Sequence, residues 1–177
     1  KAGDLTVAAV GVLADVMRRQ GRYDEAEKLA HSRIKIVEST GLLADTKTSA
    51  EAHISLGDTF VMQGEYARAA REYDFVRDSL KDNKPLYDNN YSRNCNLILT
   101  LIKMGRTDEA LKLIEPAREA AVMPFGEKSF AGAELLGLRG MARQSGKQYA
   151  EALSDFNQAI PVLSDQKDLG FRGRIIL

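Results

Sequence analysis

Two histidines, His31 and His53, and one cysteine, Cys95, are the side chains of this sequence best suited to nucleophilic or metal chemistry. Such chemistry needs partners at fixed spacings: a second ligand for a metal, or a base beside a thiol. Neither histidine has a Cys, Asp or Glu at a recognisable ligand spacing, so no metal site is expected. Cys95 stands alone, which excludes an intramolecular disulfide and a thiolate zinc site. Gly132, Gly137 and Gly140 lie in a helical pattern and lack the strand that a phosphate-cradling loop requires. Asp24 and Glu25 read as charges in the first turn of a helix, not as a buried acid and base. Arg18, Arg19 and Arg22 form the only local basic cluster, placed where cations complement a helix C-terminus. No catalysis, no cofactor and no nucleic-acid partner are therefore expected.

Composition agrees with that reading. Lys+Arg and Asp+Glu are 25 each across 177 residues, so the net charge is zero, against the basic excess usual for a duplex-binding module. Hydrophobic residues make up 44%, enough for one ordinary domain or a compact array of small units. No apolar run approaches the roughly 20 residues that cross a bilayer, so no membrane partner is expected. The lone Cys suggests a reducing compartment, the cytoplasm first, with the periplasm left open. Lys1 at the start and Ile175-Ile176-Leu177 at the end suggest a piece of something longer.

The elements that must carry these residues repeat. Four hexapeptides share one pattern: Gly21-Arg22-Tyr23-Asp24-Glu25-Ala26, Gly64 to Ala69, Gly105 to Ala110, and Lys147 to Ala152, the last with its glycine one place early at Gly146. Their terminal alanines are 43, 41 and 42 residues apart. Upstream of them lie apolar positions at helical spacing: Val10, Leu13, Ala14 and Met17, then His53, Leu56, Gly57 and Phe60, then Leu97, Ile98 and Leu101. Glycine ends each such helix in a left-handed residue, and the acids begin the next. Ala14, Gly57 and Gly140 supply a small residue where two antiparallel helices must approach. The second helices continue with Ala26, Leu29, Ala30 and Ile34, with Ala69, Tyr73 and Val76, with Ala110, Ile114 and Ala117, and with Ala152, Phe156 and Ala159. Their polar faces carry Lys28, Lys35, Arg71, Asp74, Lys112 and Asp155. A hairpin with two apolar faces must stack on another, so the expected fold is an all-α, alpha-alpha superhelix.

This pattern resembles the tetratricopeptide repeat over nearly the whole chain. Leu56-Gly57, Phe60, Gly64, Tyr66, Ala69 and Tyr73 carry the resemblance in the second repeat, and Gly140, Tyr149, Ala152, Phe156 and Ala159 in the fourth. The spacing exceeds the common period of about 34, and so resembles the longer kinesin-light-chain-like class, where Asn96 matches an Asn of the first helix. Departures are the absent Trp, Ile98 at a small position, Arg33 at a small apolar one, and no Pro closing each repeat. HEAT and armadillo arrays, with periods in the forties, are the runner-up. The expected domain is 1–177, with repeats at 7–40, 50–82, 91–121 and 133–166, and 168–177 beginning a further helix. Loops are expected over 39–49, 82–90 and 123–128, where Gly, Pro and Asn gather.

The resemblance implies a protein or peptide partner bound along the first helices, which line the concave side. Beside the packing stripe runs a second one: Ala8, Gly11, Asp15 and Arg18; Glu51, Ile54, Asp58 and Val61; Ser92, Cys95, Leu99 and Ile102; Glu134, Gly137, Met141 and Gln144, with Asn96 adjacent. Ile54, Val61, Leu99 and Ile102 are expected to be exposed in a groove rimmed by Asp58, Glu51 and Arg18. Weak self-association through uncapped repeat ends is a further expectation. Gly126-Glu127-Lys128 and the tail Phe171–Leu177 also resemble bacterial multidomain proteins that couple such repeats to a caspase-like protease. That implies the alternative of a regulatory domain whose catalytic residues lie outside this chain.

Overall fold

Among the described residues, the four motif turns share one pattern of backbone hydrogen bonds. In the computed structural model, which describes residues 2–41, 44, 46–88, 94–126, 129–167 and 170–177, Gly64 sits at φ 77° and ψ 9°. Its N–H donates to Val61 O at 3.0 Å, and that of Glu65 to Phe60 O at 2.8 Å, closing the last turn in a Schellman motif. Glu65 O then accepts from Ala69 N at 3.1 Å, opening the next helix. The same three bonds recur at Gly21, Gly105 and Lys147. The motif alanine thus donates its N–H to the carbonyl of the residue just before each second helix. Its small side chain is buried in all four copies.

The fourth turn departs from sequence expectation in one respect. Gly146 has φ −81°, and Lys147 takes the left-handed place at φ 61°. The turn keeps its geometry and lets a side chain bear the strain, because Gln148 N still donates to Arg143 O at 2.8 Å.

Among the described residues, the helices are α1 (Ala2–Arg19), α2 (Tyr23–Ser39), α3 (Lys47–Gln63), α4 (Tyr66–Leu80), α5 (Lys84–Leu86), α6 (Cys95–Lys103), α7 (Thr107–Phe125), α8 (Phe130–Ser145), α9 (Tyr149–Ser164) and α10 (Phe171–Ile176). They form two compact units, Lys1–Tyr91 and Ser92–Leu177. In the first, α1 pairs with α2, α2 with α3, and α3 with α4; in the second, α6 pairs with α7, α7 with α8, and α8 with α9. The all-α hairpin architecture is therefore as expected. The loops are shorter than expected: α3 begins at Lys47 with Thr46 as N-cap, α5 interrupts 82–90, and α7 runs on to Phe125. Ser92, Glu127 and Lys128 lie outside the described residues.

Close approach within a hairpin depends on the small first-helix residue. A Cβ on Gly57 would lie 2.8 Å from the Tyr73 ring, and one on Gly140 would lie 2.8 Å from the Phe156 ring. Each second helix presses an aromatic into the gap that glycine leaves. Gly11 does the same for an unexpected guest: its Cβ would lie 2.9 Å from Arg33 Cζ. Arg33 is buried at the small apolar position of its repeat, and Gly11 makes the room.

Three expectations about faces are corrected. Leu13, placed in the packing stripe of α1, is 45% exposed, while Val7 and Ala14 are buried. Asp155, placed on a polar face, is 1% exposed. Val61, Leu99 and Ile102, expected to be exposed in a groove, are buried, Val61 and Leu99 fully. The cause is visible in α6, where Leu97, Ile98, Leu99, Leu101 and Ile102 cover the helix all round. A helix apolar on every side is covered on every side.

Candidate functional site

The candidate site is the face that the first helices present after packing: α1 and α3 in the first unit, α6 and α8 in the second. In the first unit this face is polar and held in place. Arg18 donates to Ser55 O at 2.7 Å, to Ser55 Oγ at 2.9 Å and to Asp15 at 3.1 Å, tying α1 to α3. Burial alone would raise the Asp15 carboxyl, but hydrogen bonds from Arg18 and Arg19 outweigh it and hold the group below the ordinary carboxylate range. Arg33 reaches from α2 to Glu51 O at 3.0 Å and Glu51 Oε2 at 3.3 Å. Its burial lowers the guanidinium's affinity for its proton, and Glu51 offsets that only in part. Asp58 accepts from the Tyr73 hydroxyl at 2.7 Å. Ile54 is half-buried between these polar positions.

A second cluster lies between α2 and the following hairpin. Glu27 accepts from Arg68 at 2.5 Å and Gln63 at 3.0 Å, with His31 Nε2 at 3.7 Å. The Arg68 guanidinium also lies 3.8 Å from the centre of the Phe60 ring, a cation–π contact. Burial would raise Glu27, but Gln63, Arg68 and His31 together hold it low. His53 is half-buried between a carboxylate and an aromatic ring. Its Nδ1 lies 2.8 Å from Glu72 Oε2 and its ring is 4.1 Å from that of Phe75. Among the described residues, no group of three His, Cys, Asp or Glu could hold a metal ion.

In the second unit the polar groups are buried deeper. Asp155 accepts from Arg139 Nε and Nη2, the latter at 2.8 Å, and from Arg143 at 2.7 Å; Arg139 also donates to Glu115. The hydrogen bonds it donates to Asp155 are the main reason that Arg139 holds its proton more tightly than an ordinary arginine. Glu134 and Asn96 are 5% and 7% exposed, and both accept from Arg172 of α10. Cys95 and Met141 are half-buried and Gln144 is exposed.

Of the twelve residues expected to meet a partner, Asp15, Arg18, Glu51, Ile54, Asp58, Cys95, Met141 and Gln144 thus retain some exposure, whereas Val61, Asn96, Leu99 and Ile102 are buried. Sequence reasoning missed Glu27, Arg33, Arg139, Asp155 and Arg172 as polar connectors. The available signal was positional: Asp155 falls three residues after Ala152 and four before Ala159, on the buried line of α9. Among the described residues, no helix is long and apolar enough to cross a membrane.

The hairpin fold has counterparts in known proteins. The family model of the tetratricopeptide repeat matches residues 7–32. No curated protein sequence matches the chain. Among solved structures, BtubC (BKLC) from P. vanneervenii is similar with a TM-score of 0.63 and 17% identity, over 92% of this chain and 65% of that one. This chain thus spans slightly less than two thirds of that protein's crystallised length. Two crystal structures of a Podosopora anserina protein, described as a kinesin light chain with nearly identical TPR-like repeats, are similar with TM-scores of 0.65 and 0.62 and 19% identity. They cover 89% and 92% of this chain, and 74% and 77% of the other. Tetratricopeptide repeats generally mediate protein–protein interactions and typically serve as non-catalytic scaffolds. The chain accordingly matches the tetratricopeptide repeat model over residues 7–32, and its helical hairpins share the fold of these repeat structures.

Proposed function

We propose that residues 1–177 form one repeat domain that binds a peptide or protein segment along the faces of its first helices. The observation that carries this reading is the fixed polar row of the first unit. Asp15, Arg18, Glu51 and Asp58 are each held by a neighbouring side chain while keeping part of their surface in water. Groups already ordered lose little entropy on binding, so such a row favours recognition of an extended or helical segment. Within the second unit, Met141 and Gln144 hold the corresponding positions of α8. A pull-down with the native chain, set beside one carrying Ile54→Asp, Asp58→Ala and Gln144→Ala, tests it. Loss of the captured protein at unchanged helical circular dichroism supports the reading. Equal loss from Lys28→Ala with Lys112→Ala, on the second helices, would place the contact elsewhere.

A second reading, self-association, is favoured by Val12, Leu13 and Val16, which lie exposed together along α1. Sedimentation over a hundredfold concentration range checks it, and a constant monomer mass would remove it.

A further inference from the structure

Each unit has a cleft where two second helices diverge over the first helix between them. Three wall positions are equivalent by their place in the repeat: eight residues after one motif alanine, six after the next, and four before the packing glycine. In the first unit these are Ile34, Phe75 and His53, and in the second Arg118, Gln158 and Leu136. The residue type has changed at all three. In the first unit the protein fills the cleft itself. The His53 and Phe75 rings lie 4.1 Å apart, and Glu72 fixes the imidazole through Nδ1 at 2.8 Å. About 130 Å³ is left. In the second unit Leu136 and Gln158 bring no ring. Gln158 turns back along α9, its Nε2 donating to Ser154 O at 3.2 Å. The cleft there is about 630 Å³, within the range of sites that hold small molecules.

The lining decides what fits. Leu136, Pro161 and Val162 give it apolar surface. The Arg118 guanidinium suits the face of an aromatic ring, as Arg68 does over Phe60 in the first unit. Asp165 carries the opposite charge, so among the described residues the lining is neutral overall and matches an uncharged molecule. Pro161 stands inside α9. It has no N–H for the carbonyl of Asn157 one turn earlier, which leaves an acceptor beside the wall.

We propose that this cleft between α7, α8 and α9 binds a small, uncharged, planar aromatic molecule with a hydrogen-bond donor on its edge. The ligand takes the place that two of the protein's own rings take in the first unit. Its ring stands against Arg118, Leu136 and Pro161, and its donor meets Asp165 or the Asn157 carbonyl. This goes beyond partner recognition by the first helices and is independent of it.

Indole is the probe, with cyclohexanol as the control that has a polar edge and no aromatic face. Titrated into the isotope-labelled native chain, indole shifts the backbone amide resonances of Arg118, Leu136 and Gln158 along one saturable curve. Cyclohexanol binds there about tenfold more weakly or not at all. Gln158→Phe restores a ring where the first unit has Phe75 and weakens indole about tenfold or more, because a filled cleft has no room for a second ring. Gln158→Ala widens the cleft and leaves indole bound. Where Gln158→Phe lowers the helical circular dichroism, Val162→Phe fills the cleft from the same helix and carries the same expectation. Shifts that fail to saturate, that centre elsewhere, or that survive the folded filling variant unchanged overturn the proposal. Cyclohexanol binding as tightly as indole overturns it too.

Discussion

The two units use the same turn and opposite polar strategies. In the first, the carboxylates of the connecting pairs stay partly in water: Glu27, Asp15 and Glu51 keep a fifth or more of their side-chain surface exposed, even where the arginine they meet, as Arg33, is buried. In the second, Asp155 is buried beneath Arg139 and Arg143, and Glu134 beneath Arg172. Water screens and partly replaces the first kind of pair, so its loss costs little. The second kind was desolvated on folding, so removing one partner strands the other. The difference predicts that the second unit is the more brittle to charge deletion and the first the more tolerant.

The largest effect should come from Asp155→Ala. It leaves Arg139, 14% exposed, and Arg143 without their shared carboxylate, a loss of about 3 kcal/mol on the scale of broken buried pairs. Arg68→Ala in the first unit should cost under about 1 kcal/mol from its ion pairs, plus its packing on Phe60. Urea unfolding of both variants checks the contrast, and equal midpoint shifts would end it.

The turn is where the two units agree, and it supplies a smaller test. Gly64→Ala places a methyl at φ 77° and should destabilise by about 1 kcal/mol. Lys147→Gly removes the same kind of strain from φ 61° and should stabilise by up to about 1 kcal/mol. Thermal melts of the pair should move in opposite directions. A destabilised Lys147→Gly would mean that the lysine side chain contributes more than its backbone costs.

These turns explain why so much of the fold was legible. The motif is local: glycine, acid and alanine act within six residues, so four copies declare four hairpins without any knowledge of their neighbours. The faces were less legible because they depend on what lies across from them. Leu99 and Ile102 stand at groove spacing, yet α6 is apolar all round and its surroundings decide the matter. Arg33 and Asp155 were judged by residue type, while their spacing put them on buried lines. Gly11 marked the first of these in retrospect, since a glycine inside a helix needs a bulky neighbour to explain it. The docking of α10 on α8 was out of reach. Glu134 and Gly137 stood in the expected stripe, but nothing short-range tells Arg172 to meet Glu134 across 38 residues of chain.

The smallest expected effect concerns pH and isolates Glu27. Its carboxyl is held below the ordinary glutamate range of about 4.3 by Gln63, Arg68 and His31, despite a burial that works the other way. A carboxyl whose folded pKa is depressed stabilises the protein fully above its unfolded value. That contribution fades as the pH falls through the folded pKa, because protonation releases Arg68. Native stability should therefore decline more steeply than that of Glu27→Gln once the pH drops below about 4.3, and the two should run parallel above about pH 6. With its side chain 21% exposed, Glu27 should account for only a fraction of a kilocalorie. Asp15 is shifted in the same direction by Arg18 and Arg19, so Asp15→Asn in the Glu27→Gln background should flatten the acid limb further. If the slope survives both substitutions, the acid sensitivity lies outside the first unit's exposed pairs, and the contrast between the units would have to be redrawn around the buried carboxylates of α8 and α9.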